Sequence, residues 1–286
     1  MEGSKLKNIV IVILVLLNLF LLVLSGGRRM QDARSRDQAR SAAVEVIRRS
    51  GVTLDEQNVP VGMDLLPMVA QRDLKSEILQ ARALLGEDVT AQARGGEVYR
   101  YGNEAGWLQV HSTGQYSAML TAGAALTEQE QPEEHAVALL RLLDMECRVV
   151  ACDVVDGQGE VLLNQTLNGA DVLDCQVSIQ YRDGCAVQIT GNRRLLGQAE
   201  AAGGVPVTVA TALMRLYNGL NDMGDVYNAI KTIAPAYVLS SEGAGSMRLT
   251  PVWQVETDTG TYRLDTLTGI LTRTGDLARQ VAESAE

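Results

Sequence analysis

The chain has 286 residues, 46% of them hydrophobic, and sets 25 Lys and Arg against 35 Asp and Glu for a formal charge of −10. This apolar content argues for folded structure and against disorder. The acidic balance, with no basic patch interleaved with aromatics, disfavours nucleic acid and other anionic polymers as partners.

The first patterned stretch runs from Ile9 to Leu24, sixteen residues in which only Asn18 is polar. As a helix it rises about 24 Å, and Leu6 and Ser25 extend it toward the roughly 30 Å of a bilayer core. Ile9, Leu14, Asn18, Phe20 and Leu24 mark out the membrane span read here. A cleavable signal peptide stays open, with Lys5 and Lys7 as its basic end and Val23 and Ser25 placed for a peptidase. Charge bears on orientation. Arg28, Arg29, Arg34, Arg36 and Arg40 follow the run, against Lys5 and Lys7 before it, so charge alone puts the large domain in the cytoplasm.

Residues 28 to 50 have helical spacing, with Ala39, Ala43, Val46 and Ile47 on one face and Gly51 as the stop. They are either the first helix of the folded body or a rod carrying a signal to or from the membrane. Leu74, Ile78, Ala81 and Leu85 predict a second helix ended by Gly86, followed by strands over Glu97–Tyr101, Gly106–Val110 and Tyr116–Leu120. The grammar then repeats. Pro132 opens a helix with Ala136, Leu140 and Leu143 inward. Strands follow over Arg148–Val155, Glu160–Leu167, Val172–Tyr181 and Cys185–Thr190, with turns at Asp156-Gly157, Asn168-Gly169 and Asp183-Gly184. Pro206 opens a third such helix, carrying Val209, Leu213, Leu216, Tyr217 and Leu220, with strands over Ala236–Ser241, Met247–Thr257, Thr261–Asp265 and Ile270–Arg273.

The expected fold class is therefore α+β: an N-terminal transmembrane helix followed by two or three helix-plus-antiparallel-meander units, each sheet covered by its own helix. The expected boundaries are 1–27 for a cytoplasmic tip and anchor, 28–126 for the stalk helix and first unit, 127–202 for a middle unit, 203–273 for a C-terminal unit and 274–286 for a flexible tail.

The segment from Leu249 to Ile270 resembles the closing hairpin of PepSY-like domains. It has a Pro251-Val252-Trp253 strand, an Asp258-Thr259-Gly260 turn, Tyr262 on the return strand and Asp265 followed by Thr268-Gly269. Gln165 to Gly169, with Asn168 and Gly169 at the turn and Val177-Ser178-Ile179 beyond, is similar to the matching hairpin of a preceding repeat. The anchor core Leu17–Leu22 is similar as well, so the chain resembles the YycI and YycH family of extracytoplasmic regulators. Residues 51 to 125 carry no part of this resemblance. The resemblance implies a single-pass cell-membrane protein with its N-terminus cytoplasmic and its C-terminal domain outside, against the charge bias. It also implies association with a paralogous regulator, as a hetero- or homodimer, and with the WalK sensor histidine kinase of low-GC Gram-positive bacteria. In the quoted motifs Trp253, Val255, Tyr262 and Leu264 read as core, and Gly260 and Gly269 as turn formers.

Side-chain chemistry is sparse. His111, beside a turn, and His135, next to Glu133 and Glu134 at a helix start, read as exposed polar residues. Asp153, Asp156 and Glu160, threaded by Gly157 and Gly159, lack EF-hand spacing and read as a solvated hairpin turn. Gly243-Ala244-Gly245 reads as a plain turn. Cys147, Cys152, Cys175 and Cys185 contain no Cys-x-x-Cys pair; they are free thiols, or one or two disulfides in any of three full pairings. No catalytic constellation, metal site or cofactor is expected. The function expected is a non-catalytic, membrane-anchored extracytoplasmic regulator that binds partner membrane proteins and modulates a two-component sensor histidine kinase. The alternatives are a PepSY-type inhibitor or chaperone of a secreted protease or cell-wall hydrolase, and an enzyme with an unrecognised site.

Overall fold

The computed structural model describes residues 33–126, 131–243 and 245–274. Helix α1 covers residues 33–49. Next come β1 (Thr53–Leu54), β2 (Met68–Gln71), α2 (Leu74–Leu85), β3 (Thr90–Ala93), β4 (Tyr99–Asn103), β5 (Gly106–Val110) and β6 (Tyr116–Ala125). The middle of the chain forms α3 (Pro132–Leu142), β7 (Glu146–Cys152), β8 (Gly159–Leu167), β9 (Ala170–Arg182), β10 (Cys185–Gly191) and β11 (Ala199–Ala201). The last part forms α4 (Val209–Asp222), β12 (Ala229–Gly243), β13 (Ser246–Thr257), β14 (Thr261–Asp265) and β15 (Leu271–Arg273). Local chemistry sets the helix starts. The Asp73 carboxylate accepts from the Lys75 amide, Pro132 occupies the first turn of α3, and the Thr208 hydroxyl accepts from the Thr211 amide.

The expected fold class is corrected on two counts. The described residues do not build separate units with separate sheets; they build one mixed sheet of 15 strands. The physical reason lies in the long strands. β9 pairs with β8 along one edge and divides the other between β12, in parallel, and β10. β12 pairs with β13 on one edge and with β1 and β9, both in parallel, on the other. β13 in turn takes β2 at its start and β14 at its end. Segments from all three expected units are thereby hydrogen-bonded into one ladder. The second correction concerns the anchor. No helix among the described residues is long and apolar enough to cross a membrane, and the transmembrane helix expected over Ile9–Leu24 lies outside those residues. Of the tail expected over 274–286, only Thr274 is described.

Side chains alternate between the two faces of a strand, so Ile233, Tyr237 and Leu239 of β12 point the same way, as do Met247, Leu249, Trp253 and Val255 of β13. Tyr237, Leu239, Met247 and Leu249 join a core with Ala81 and Leu85 of α2 and Ala136 and Leu140 of α3. Ile233, Trp253 and Val255 join a second core with Ala43, Val44 and Ile47 of α1 and Leu213 and Leu216 of α4. The four α-helices among the described residues therefore lie on one face of the sheet. On the other face Leu173, Ala236 and Val252 form a small cluster. The buried stripe of α1 is Ala43, Val44 and Ile47, and the expected Ala39 and Val46 are exposed.

Arg72 ties three parts of this arrangement together. Its guanidinium makes two bonds to the Glu77 carboxylate, Nε to Oε1 at 2.7 Å and Nη2 to Oε2 at 3.0 Å, and donates to the Glu97 and Val110 carbonyls. Its amide donates to the Gly245 carbonyl at the β12–β13 turn. The Tyr101 hydroxyl completes the cluster at 2.7 Å from Glu77 Oε2, and burial together with that carboxylate raises the phenol well above its usual range. The side chains of Arg72 and Glu77 are only 9% and 3% exposed. Removing one partner of such a pair strands a charge in the interior. Glu77→Ala is expected to lower stability by about 3–5 kcal/mol. The double variant Arg72→Met/Glu77→Ala should recover part of that loss, both read from urea unfolding midpoints.

Candidate functional site

Beside this cluster the chain forms a cleft of about 360 Å³. Met68 of β2 and Gln165, Thr166 and Leu167 of β8 line it, with Ser76 and Gln80 of α2 on one side and Leu195, Gly197, Gln198 and Ala199 on another. Leu143, Asp144, Glu146 and Asn168 complete its lining. An adjoining open groove of about 630 Å³ shares Ser76 and Gln198 with it and adds Asp73 of the α2 cap and Glu200 of β11. Together the two hollows carry Asp73, Asp144, Glu146 and Glu200, and among the described residues no Lys or Arg lines them.

Local backbone geometry positions these groups. Asn168 and Gly169 hold φ values of 52° and 77°, the two positive angles a tight β8–β9 hairpin needs, and this places Asn168 at the cleft. At the β5–β6 turn, Gly114 approaches the 192–195 segment so closely that a Cβ would lie 2.6 Å from the Arg194 carbonyl oxygen. The Arg194 amide donates to the Gly114 carbonyl at 3.0 Å, which fixes the strip of chain leading into the cleft wall. The Arg194 side chain is buried, with its guanidinium 5.4 Å from the centre of the Tyr116 ring. Its Nη2 donates to Gln80 Oε1, which holds Gln80 in the cleft wall, while Nε and Nη1 lack hydrogen-bond partners. Burial lowers the Arg194 pKa and raises that of Tyr116. Gln165 is 5% exposed, and its Oε1 also has no hydrogen-bond partner.

Among the residues singled out from the sequence, Asn168 lines this cleft, together with Gln165 to Leu167 of the same hairpin run and Leu143 at the end of α3. The others build the framework. Trp253 sits in the second core, paired in register with Pro235 and Leu264. The Pro251 carbonyl accepts from the Thr266 amide at 3.2 Å and hydroxyl at 2.6 Å. The Asp265 carboxylate caps the last turn by accepting from the amides of Leu267 and Thr268, and the Gly269 amide donates to the Asp265 carbonyl. The Gly260 amide donates to the Thr257 hydroxyl, and buried Tyr262 donates to Asp225, which also pairs with Arg273. His135 is not an exposed residue: it is 7% exposed, with Nδ1 2.9 Å from the Tyr181 hydroxyl. Its helix faces the first core, so an initial-turn polar residue ends up inside. His111 is half-buried beside Gln109. Asp156 and Gly157 form the β7–β8 turn. Arg72, Glu77 and Arg194 escaped the sequence reading, and Gln165 entered it only within a hairpin motif, because a single polar residue in an apolar pattern signals nothing until its partners are known.

Chemically, the charged groups of the cleft, Asp144 and Glu146, are acceptors, among hydroxyl and amide side chains that both donate and accept. Among the described residues no group of three or more His, Cys, Asp or Glu side chains is arranged to hold a metal ion. All four cysteines are free, and burial pushes the thiols of Cys147 and Cys175 up to about 12. At pH 8 only about one in 10⁴ of such thiols is ionised, and the thiolate is the reactive form. Alkylation of the native protein at pH 8 is expected to spare Cys147 and Cys175 and to reach both in denaturant, as read by peptide mass spectrometry.

No family model matches the chain, and no curated protein matches it. Among solved structures, an uncharacterized protein from Eubacterium rectale matches over 73% of this chain and 81% of its own length, at 11% identity and a TM-score of 0.38.

Proposed function

We propose that the protein is a non-catalytic, membrane-anchored extracytoplasmic regulator that binds partner membrane proteins and modulates a sensor histidine kinase, as the resemblance to YycI and YycH implies. The observation that carries this reading is the way the chain beyond the apolar run enters the folded body. A helix occupies residues 33–49, and its last turns bury Ala43, Val44 and Ile47 in the second core. Polar ties reinforce the join. Arg40 donates to the carbonyls of Glu56 and Val59, Ser41 donates to the Glu56 carboxylate at 2.7 Å, and Arg48 donates to the Leu54 carbonyl at 2.7 Å. These contacts tie the folded body to the chain that follows the apolar run, which suits a protein that senses or biases a neighbour in the bilayer. Confinement to the membrane raises the effective concentration of partners, so a weak interface suffices. Asn18 adds a hydrogen-bonding group within the span, worth on the order of 1 kcal/mol to helix association.

The full-length protein is expected to co-purify with a sensor histidine kinase from detergent-solubilised membranes, and a variant lacking residues 1–27 should neither co-purify nor alter kinase output. Repeated recovery without any kinase, or full regulation by the truncated protein, overturns the reading. Val205, 87% exposed, gives a reporter of sidedness. Val205→Cys should react with a membrane-impermeant maleimide on intact cells, whereas reaction only after permeabilisation places the body in the cytoplasm.

A further inference from the structure

We infer that the cleft and its adjoining groove receive an extended segment of a partner polypeptide, with a lysine or arginine side chain of that segment lodged in the cleft. This rests on the partner-binding reading above and names the chemistry of one contact. The first support is Gln165. Its Oε1 has no partner among the described residues and is closed off in the cleft wall, a cost the interior rarely carries without cause, and a rotation of the side chain presents it to a donor in the cleft. The second is charge. Asp144 and Glu146 line the cleft, Asp73 and Glu200 line the groove, and among the described residues no basic residue lines either. Because no three ligating groups among the described residues converge on a metal geometry, this dispersed acidity matches a long cationic side chain carrying several N–H donors. The third is the sheet edge. β11 pairs with β2 on one side, and among the described residues no strand pairs with its other side. Glu200 and Ala201 of this edge line the groove, so an extended backbone can add to β11 while its side chain turns toward Gln165. β11 is only three residues long, which limits what backbone pairing supplies and leaves selectivity to the cleft.

The test uses the full-length protein in nanodiscs and immobilised pentapeptide pools with randomised flanks and a fixed centre of lysine, norleucine or glutamate. The lysine pool is expected to bind roughly tenfold more tightly than either of the others. Asp144→Asn/Glu146→Gln, at the cleft lining, should erase that preference. Gln165→Leu should weaken lysine-pool binding about fivefold while leaving the thermal midpoint unchanged or higher, since it removes an unpartnered buried acceptor. Equal binding of the lysine and glutamate pools, no saturable binding at millimolar peptide, or a lysine preference that survives the double variant overturns the assignment. Competition by spermidine as strong as that of the lysine peptides also overturns it, because the site would then read a bare cation. A kinase that co-purifies while the pools fail keeps the regulator reading and removes the cleft as its contact. A lysine-selective cleft in a protein without a kinase partner does the reverse.

Discussion

A β-strand has two edges, and in this protein three long strands each divide one edge between two partners. β9 serves β12 and β10, β12 serves β1 and β9, and β13 serves β2 and β14. Removing any of these partners would leave half an edge of backbone donors and acceptors unpaired inside the sheet, which the interior does not accommodate. The same strands pass from one core to the other, with Leu249 in the first and Trp253 in the second, four residues apart on one face of β13. Two helical layers that would otherwise be separate domains are thereby fastened to one backbone.

The cleft follows from this arrangement. β2 reaches the start of β13 and carries β11 on its outer side, and the turn out of β2 launches α2 across the sheet face. The Arg72–Glu77 pair fixes that turn against β4 and the β12–β13 hairpin, so Ser76 and Gln80 stand at a set distance from β8. A buried ion pair is seldom a gain in stability over an apolar substitute; its worth is that it fits one geometry. The unpartnered groups of Arg194 and Gln165 lie in the same region and are stability costs retained next to a polar hollow. Such departures from good packing concentrate where a protein binds something.

Helix α1 and the cleft are joined by a contiguous packed route. α1 packs with Trp253 and Val255 of β13, the start of that strand pairs with β2, and β2 supplies Met68 to the cleft. A route of this kind transmits rigid-body position without any internal switch. It relates the placing of α1 to the placing of the cleft.

Much of the local structure was legible in the chain because its causes are local. Pro132 and Gly86 bound helices, Asn168-Gly169 makes a hairpin whose φ values two adjacent residues set by themselves, and alternation along Trp253, Val255, Tyr262 and Leu264 marks a buried face. What escaped was non-local. β1, β2, β3 and β11 are two to four residues long, too short for a period to show, and exist as strands because a neighbouring strand offers them an edge. Neither the parallel joins of β12 nor the burial of His135 and Val44 follows from spacing, since each depends on which distant surface arrives opposite. The cleft is the extreme case, gathering Ser76, Asp144, Gln165 and Gln198 from stretches far apart in the chain. Sequence alone settled where this protein turns and which side of each strand is apolar, because a residue's own backbone and side chain decide that. Only the tertiary structure decided which edges meet and what they enclose, because hydrogen-bond pairing between strands is indifferent to their distance along the chain.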